Sequence, residues 1–269
     1  MARPVVLVLI DGLGYETAVQ RLGYMEGLVA AGAARRWRMR TALPSLSRPL
    51  YETVHTGVAP HEHGITSNDT VRLSSQPSVF SVARAAGRTT AAASYYWFSE
   101  LYNRAPFDAV EDLEHDDHGR TIQHGRFYQH ADFPDSELFG RAAVLSARFR
   151  PDFLLVHPMG PDTIGHRFGG RSKEYEKVAL QIDNLLAVHI PRWREQGCDV
   201  MVTADHGMDE NGNHGGSLDI HCLVPFYYVG AAVAAGIAPQ EVQQTAVAPT
   251  VLRAMGLGIP GSMRTAPLL

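Results

Sequence analysis

Aspartates close three apolar runs in this chain, and two of them have a histidine within reach. Asp11 follows VLVLI, Asp205 and His206 follow VMVTA, and Asp162 and His166 come after FLLVHPMG, while His214 stands a short loop beyond Asp205 in NHGG. One Asp-Gly at a strand end is ordinary turn punctuation. Three such acids after three separate strands read as a set. Asp162 and His166 are four residues apart, and if Pro161 opens a helical turn both side chains project from one face. A carboxylate oxygen and an imidazole nitrogen placed that way are zinc ligands; alone, the pair is equally a surface helix pair. Asp205 and His206 are adjacent and should diverge, which suits a bridging or second-ion role. Together these residues read as a two-metal site.

A nucleophile is the remaining part. TALPSLSRPLYETVHTG, residues 41–57, reads as a loop followed by a helix from near Pro49. Ser47 then sits just before a helix N-terminus, where unpaired N–H groups and the positive dipole end favour a phosphoryl group. By itself Ser47 is an N-cap. A serine hydroxyl becomes a nucleophile only with a metal or base to deprotonate it, and two divalent ions would do so. Those ions bring four positive charges, balanced by three aspartates and a serine alkoxide. Asn68, in HGITSND, either donates its amide N–H to a non-bridging phosphoryl oxygen or is a turn residue.

The elements that must hold these residues alternate. Strand-like apolar runs cover 5–10, 89–94, 153–157, 200–203 and 223–229, and helix-compatible stretches cover 16–31, 49–56, 79–86, 136–149, 172–196 and 245–255. Ser172 is a plausible N-cap for the long stretch, in which Tyr175, Val178, Ile182, Leu185, Leu186 and Ile190 recur at helical spacing. Such alternation implies an α/β fold with a largely parallel central sheet covered by helices on both faces, and a site beyond the carboxyl ends of the strands. A single domain over 1–269 is expected, interrupted by a polar segment at 100–135 that reads as an inserted loop or cap. Within it His115, Asp116, Asp117 and His118 fit no regular ligand spacing and read as solvated loop.

In their order, these motifs resemble the alkaline phosphatase superfamily, and within it the nucleotide pyrophosphatase/phosphodiesterase (type I phosphodiesterase) branch. VLVLIDGLG resembles the first metal-binding strand, PSLSRPLYETVHTGVAPHEHGITSN the nucleophile segment, HPMGPDTIGH the D-x-x-x-H pair, TADHGM the D-H-G pair, HGG the last histidine and VAPTVLRAMGLGIP the closing helix. The resemblance implies an alkaline-phosphatase-like fold and two divalent ions, zinc by the family pattern. It implies that Asp162, His166 and His214 hold one ion and that Asp11, Asp205, His206 and the Ser47 oxygen hold the other, with His221 as the alternative to His214. Ser47 stands where most relatives carry threonine. It would attack phosphorus to give a covalent phosphoryl-enzyme that water then cleaves, with Asn68 binding the phosphate.

Departures from the family pattern bear on the substrate. Tyr51 replaces the arginine of the sulfatase C/S-x-P-x-R segment, which argues against sulfate esters. Arg48 follows the nucleophile where diesterases have an aromatic residue. It is either a clamp for the second charge of a phosphate monoester or an outward-facing side chain. Tyr95, Tyr96 and Trp97 either line the substrate rim or pack into the core. The expected substrate is a small phosphate diester or pyrophosphate, with a monoesterase or a phosphonoacetate-type phosphonate hydrolase as the alternative. A non-catalytic metal- or phosphate-binding protein of the same fold is the reading from another class.

Composition sets the outer limits. A net charge of -4 over 269 residues argues against a nucleic-acid partner, and the Arg35, Arg36, Arg38, Arg40 cluster reads as a solvated loop. Cys198 and Cys222 are too few and too distant for a disulfide framework or a CxxC metal site and read as buried thiols. The opening MARPVVLVLIDG has too short an apolar run for a signal peptide, and no stretch approaches the about 18–20 apolar residues of a membrane span. A cytoplasmic location is the default expectation. His61 and His63 are expected to be structural.

Overall fold

Among the described residues nine strands carry the sheet: β1 (Val5–Ile10), β2 (Arg35–Arg40), β3 (Thr90–Tyr95), β4 (Glu114–Asp116), β5 (His124–Tyr128), β6 (Phe153–Val156), β7 (Asp199–Ala204), β8 (Leu223–Val229) and β9 (Gly236–Gln243). The computed structural model describes residues 2–230 and 234–269. The strand order is β4-β5-β3-β6-β1-β7-β8-β2-β9. The block β5-β3-β6-β1-β7 is parallel throughout. Strand β8 runs antiparallel to β7 and β2, and β4 antiparallel to β5. β1, β6, β7 and β8 are buried at every position, which is why they read as unbroken apolar runs: helices cover the sheet on both faces.

The connections leave β1 in opposite senses. The chain passes from β1 to β2 on one side and then returns to β3 on the other, so the carboxyl ends of β1, β6 and β7 face a topological switch point, the usual ligand crevice of such sheets. Asp11, His157 and Asp205 each follow the last residue of one of these strands or stand at its loop. The helix Gly160–Phe168 after β6 carries Asp162 and His166 one turn apart, with Pro161 in its first turn as expected.

Three expectations change. The arginine cluster is β2 and not a loop: Trp37 and Met39 point into the core, while Arg36, Arg38 and Arg40 alternate onto the other face and are paired with Glu26, Glu241 and Asp219. Residues 100–135 do not simply lie over the sheet, because β5 pairs with β3 and extends it, with β4 as its edge. The period-2 signal was hidden there by polar residues that pair along the edge, such as Arg126 with Asp116. The stretch 16–31 is two helices, Tyr15–Arg21 and Gly23–Ala30, broken at Leu22. Asp183 of the long helix Lys173–Glu195 accepts the N–H groups of Tyr24 and Met25, capping the second of them. Ser172 caps the long helix itself through the Tyr175 N–H. Cys198 and Cys222 are buried and free. Among the described residues no helix is long and apolar enough to cross a membrane.

Gly12 is where strand β1 meets the helix that follows β6. Its φ is +69°, and a Cβ there would lie 2.8 Å from Asp162 Cα and 2.9 Å from Asp162 Cβ. A side chain at that position must therefore adopt a left-handed backbone and push Asp162 away. Gly12→Ala is expected to cost about 2–4 kcal/mol, seen as a fall in thermal midpoint of about 5 °C or more. Wild-type melting would contradict this close approach.

Candidate metal centre

Six candidate ligand side chains, and Ser47 beside them, converge at the carboxyl ends of β1, β6 and β7. His206 Nε2 lies 3.4 Å from Asp11 Oδ1, 3.3 Å from Asp205 Oδ2 and 3.1 Å from Ser47 Oγ. Beside this group, Asp162 Oδ1 lies 3.4 Å from His166 Nε2 and 3.8 Å from His214 Nε2, and those two nitrogens are 3.2 Å apart. The His206 and His214 rings stack, with centroids 3.7 Å apart, and join the two groups. Asp11, Asp205 and His206 are fully enclosed. The second group opens to solvent at His166, whose side chain is 49% exposed.

Each histidine is held in one tautomer by the backbone. His166 Nδ1 donates to the Gly212 carbonyl (2.8 Å), His206 Nδ1 to that of Gly207 (3.1 Å) and His214 Nδ1 to that of Ser45 (2.9 Å). A carbonyl can only accept, so the proton sits on Nδ1 in all three rings and the Nε2 lone pairs face the centre, as in metal-ligating histidines. The carboxylates are arranged likewise. Asp205 Oδ1 accepts the N–H groups of Gly12 and His206, and Asp11 Oδ2 accepts from Tyr51 Oη and faces His157 Nε2 at 3.3 Å. Asp11 Oδ1, Asp205 Oδ2 and Asp162 Oδ1 are buried and make no hydrogen bond among the described residues. Three orphaned carboxylate oxygens facing three Nε2 lone pairs is a donor set that fits divalent cations.

Electrostatics agree. Burial, and then the neighbouring carboxylates, push Asp11 up to about 7, and Asp205 rises to about 8 mainly by burial. Asp162 is also raised, by burial and then by Asp11. Leaving a carboxylate charged and uncompensated in such a place costs several kcal/mol. Without cations the cluster must therefore hold protons. Burial pushes His214 down to about 3 and lowers His206, so both rings are neutral and free to ligate.

The loop before Ser47 is pinned to the loop of His214. Ser45 Oγ donates to the Gly216 carbonyl (2.7 Å) and accepts the Gly215 N–H (3.1 Å). Ser47 is the first residue of the helix Ser47–Thr56, and Leu46 occupies the N-cap. Ser47 is thus inside the helix and does not cap it. The N-terminus also offers fewer donors than expected: Pro49 has none, Arg48 N–H donates to Asn68 Oδ1 (3.0 Å) and Leu50 N–H to Leu46 O. The Ser47 N–H is left, and beside it the Asn68 amide NH2, which makes no hydrogen bond among the described residues.

Other expectations sort by geometry. Asp205 and His206 do not diverge; the turn after β7 brings Asp205 Oδ2 and His206 Nε2 together. His221 lies apart from the cluster, its Nε2 3.3 Å from Asp209 Oδ2, so the structure brings His214 to the centre. His61 is exposed, and His63 is buried against Thr53 and Ile65. Arg48 does not face outward: it is 1% exposed and paired with Glu100. Tyr96 and Trp97 are half-buried, Tyr96 against Phe107 and Trp97 against Arg48 and Tyr95.

Sequence reasoning missed Tyr51, His157 and Glu100. Tyr51 was readable as the residue one helical turn after Ser47, and His157 as another polar residue ending an apolar run. Glu100 carries no local signal. His157 is not a ligand of the same kind, because its Nδ1 faces the Tyr128 hydroxyl (3.1 Å) and its Nε2 supports Asp11.

Comparison with known proteins points the same way. Residues 5–225 match the family of type I phosphodiesterase / nucleotide pyrophosphatase. The chain is 27% identical over 271 residues to the catalytic subunit of human GPI ethanolamine phosphate transferase 2, covering 95% of this chain and 26% of that protein. It is 25% identical over 235 residues to mouse ectonucleotide pyrophosphatase/phosphodiesterase family member 3, covering 77% of this chain and 25% of that protein. The chain thus spans about a quarter of the length of these curated relatives. Murine ectonucleotide pyrophosphatase/phosphodiesterase 5 shares the fold, with a TM-score of 0.77, 12% identity and 96% of each chain covered.

The raised carboxylates set a pH dependence. In the metal-free chain Asp11 and Asp205 bind protons more tightly folded than unfolded, so their contribution to stability is complete below their usual 3.8 and is lost as pH rises through about 7 and about 8. The histidines that burial lowers are neutral in both states above about pH 6.5 and do not mask this. Chelator-treated protein is therefore expected to lose thermal stability from about pH 6.5 to 8.5 while zinc-loaded protein holds its midpoint, because cations replace the protons. A gap between the two that stays constant with pH would contradict the account.

Proposed function

The chain belongs to the type I phosphodiesterase / nucleotide pyrophosphatase family, within the alkaline phosphatase superfamily, and from that premise we propose that it is a two-zinc hydrolase of small phosphate diesters or pyrophosphates with Ser47 as nucleophile. The observation that carries this reading is the convergence of three orphaned carboxylate oxygens and three Nε2 lone pairs beside Ser47 Oγ. Asp162, His166 and His214 would hold one ion, and Asp11, Asp205, His206 and the Ser47 oxygen the other. When bound, the ions supply Lewis-acid charge for deprotonating the serine and for the attacking and leaving oxygens of an in-line displacement.

This chain's own residues then do the following. Ser47 Oγ forms the bond to phosphorus as the ester oxygen opposite departs with its alcohol, leaving a serine-linked phosphodiester that keeps the other ester group and that water cleaves in a second displacement. The Ser47 N–H and the Asn68 amide donate to the non-bridging oxygens, where charge grows in the transition state. Tyr51 donates to Asp11 Oδ2 and so leaves Oδ1 to face the centre. The open side at His166 admits the substrate, while the enclosed group around His206 excludes water from the serine. Tyr96 and Trp97, which follow β3, would contact the leaving group.

Arg48 bears on the choice between esters. Its charge is paired with Glu100, so it adds no free cation for the second charge of a monoester, and this favours diesters over the monoesterase or phosphonate-hydrolase alternative. A second reading is transfer to an alcohol in place of water. It is favoured by the alignment of 95% of the chain with an ethanolamine phosphate transferase, and the step at Ser47 is common to both.

Ser47→Ala is expected to lower kcat for bis-p-nitrophenyl phosphate by at least about 10³-fold while zinc content and thermal midpoint stay at wild-type levels. Activity within about tenfold of wild type would remove Ser47 as the nucleophile.

A further inference from the structure

Arg48, next to the nucleophile, is enclosed and its charge is paired. Its Nη1 lies 2.8 Å from Glu100 Oε2, and its guanidinium carbon sits 4.3 Å from the centroid of the Trp97 ring. Its Nε donates to the Asn68 carbonyl (2.8 Å), and its backbone N–H donates to Asn68 Oδ1 (3.0 Å). Glu100, 4% exposed, is fixed in turn because its Oε1 accepts the Phe107 N–H (3.0 Å). A planar guanidinium can stack, pair and donate in this way at once; a lysine ammonium cannot.

Two consequences follow. An N–H can face only an acceptor, so the atom of Asn68 turned to Arg48 is the oxygen, and the NH2 is the end left for a ligand. The backbone N–H of residue 48 thus sets which end of the Asn68 amide is free, while the guanidinium, paired with Glu100, anchors the Asn68 main-chain carbonyl. The second consequence is charge. A bare guanidinium one residue from Ser47 would attract a doubly charged phosphoryl group, and at short range in a partly enclosed site that attraction is worth several kcal/mol before screening. Glu100 cancels it.

We propose that Glu100 is a positioning and specificity-determining residue: through the Arg48 guanidinium it anchors the Asn68 main chain beside the Ser47 site and neutralises the guanidinium, so that the site takes a singly charged phosphodiester in preference to a doubly charged monoester. The proposal rests on the phosphodiesterase reading above and identifies what sets its substrate class.

The test uses the zinc-loaded full chain and two readouts. One is the ratio of kcat/KM for bis-p-nitrophenyl phosphate over p-nitrophenyl phosphate; the other is the Kd of inorganic phosphate by calorimetry. In Glu100→Gln the ratio falls about tenfold or more and phosphate binds about tenfold or more tightly, because the guanidinium is uncovered. The double variant Arg48→Met with Glu100→Gln carries neither charge and leaves no buried ion unpaired. Its ratio returns to within about threefold of wild type while kcat falls for both esters, because Asn68 has lost one of its two anchors. Arg48→Lys keeps the charge but has no Nε for Asn68, so kcat falls about tenfold for both esters with the ratio unchanged. If Glu100→Gln does not fold, Glu100→Ala carries the test, with the same fall in ratio and the same gain in phosphate affinity expected. In these Glu100 variants a purely structural role would lower activity on both esters together at constant ratio and constant phosphate affinity, and that result overturns the proposal. If the wild type cleaves neither ester, the phosphodiesterase reading fails separately, and the phosphate affinities still decide the role of Glu100.

Discussion

Three carboxylates brought out of water within a few ångströms of one another are the constraint around which this molecule is arranged. Each is held by one oxygen or by its backbone setting, and each leaves an oxygen with no partner. Such an arrangement is costly for a free protein, because burial, and then the neighbouring carboxylate, raises Asp11 and Asp205 into the neutral range and each uncompensated charge would cost several kcal/mol. It becomes favourable once cations take the place of the protons. The parallel block of the sheet exists, in functional terms, to deliver Asp11 and Asp205 from adjacent strands to one point, with the helix after β6 adding Asp162 across the Gly12 backbone.

The histidines complete the design by a backbone device. In all three the Nδ1 proton is committed to a main-chain carbonyl, so ring orientation is set by loop geometry and not by the presence of a ligand. One of those carbonyls belongs to Ser45, two residues before Ser47. The same short loop therefore positions the last histidine and Ser47 together. The group around His206 is enclosed and the group at His166 opens to solvent. The buried Arg48–Glu100 pair stands outside both.

The strands buried on both faces were legible because continuous apolar runs need no periodicity to be recognised. β2, β4 and β5 were not, since arginines and acids that neutralise each other across strands look like solvent-facing residues when read one at a time. Arg36 reads as a loop residue until Glu26, ten positions earlier, is seen beside it. Strand-end acids and their histidines were legible as a set because metal chemistry demands those residue types at element ends. What could not be read was their support. Tyr51, His157 and Glu100 act through contacts between residues distant along the chain, and the choice between His214 and His221 depends on how one loop turns. The placement of Ser47 within the helix, and the loss of its neighbours' N–H groups to Asn68 and to proline, likewise come from tertiary packing.

The central claim is that these six ligands form two ion sites, one of which includes His214. It is tested most directly by counting zinc bound at equilibrium to the full chain and to two single variants. The account predicts two ions per chain in the wild type, one in His214→Ala and two in His221→Ala. A single ion in the wild type, or a loss on His221→Ala in place of His214→Ala, would contradict it.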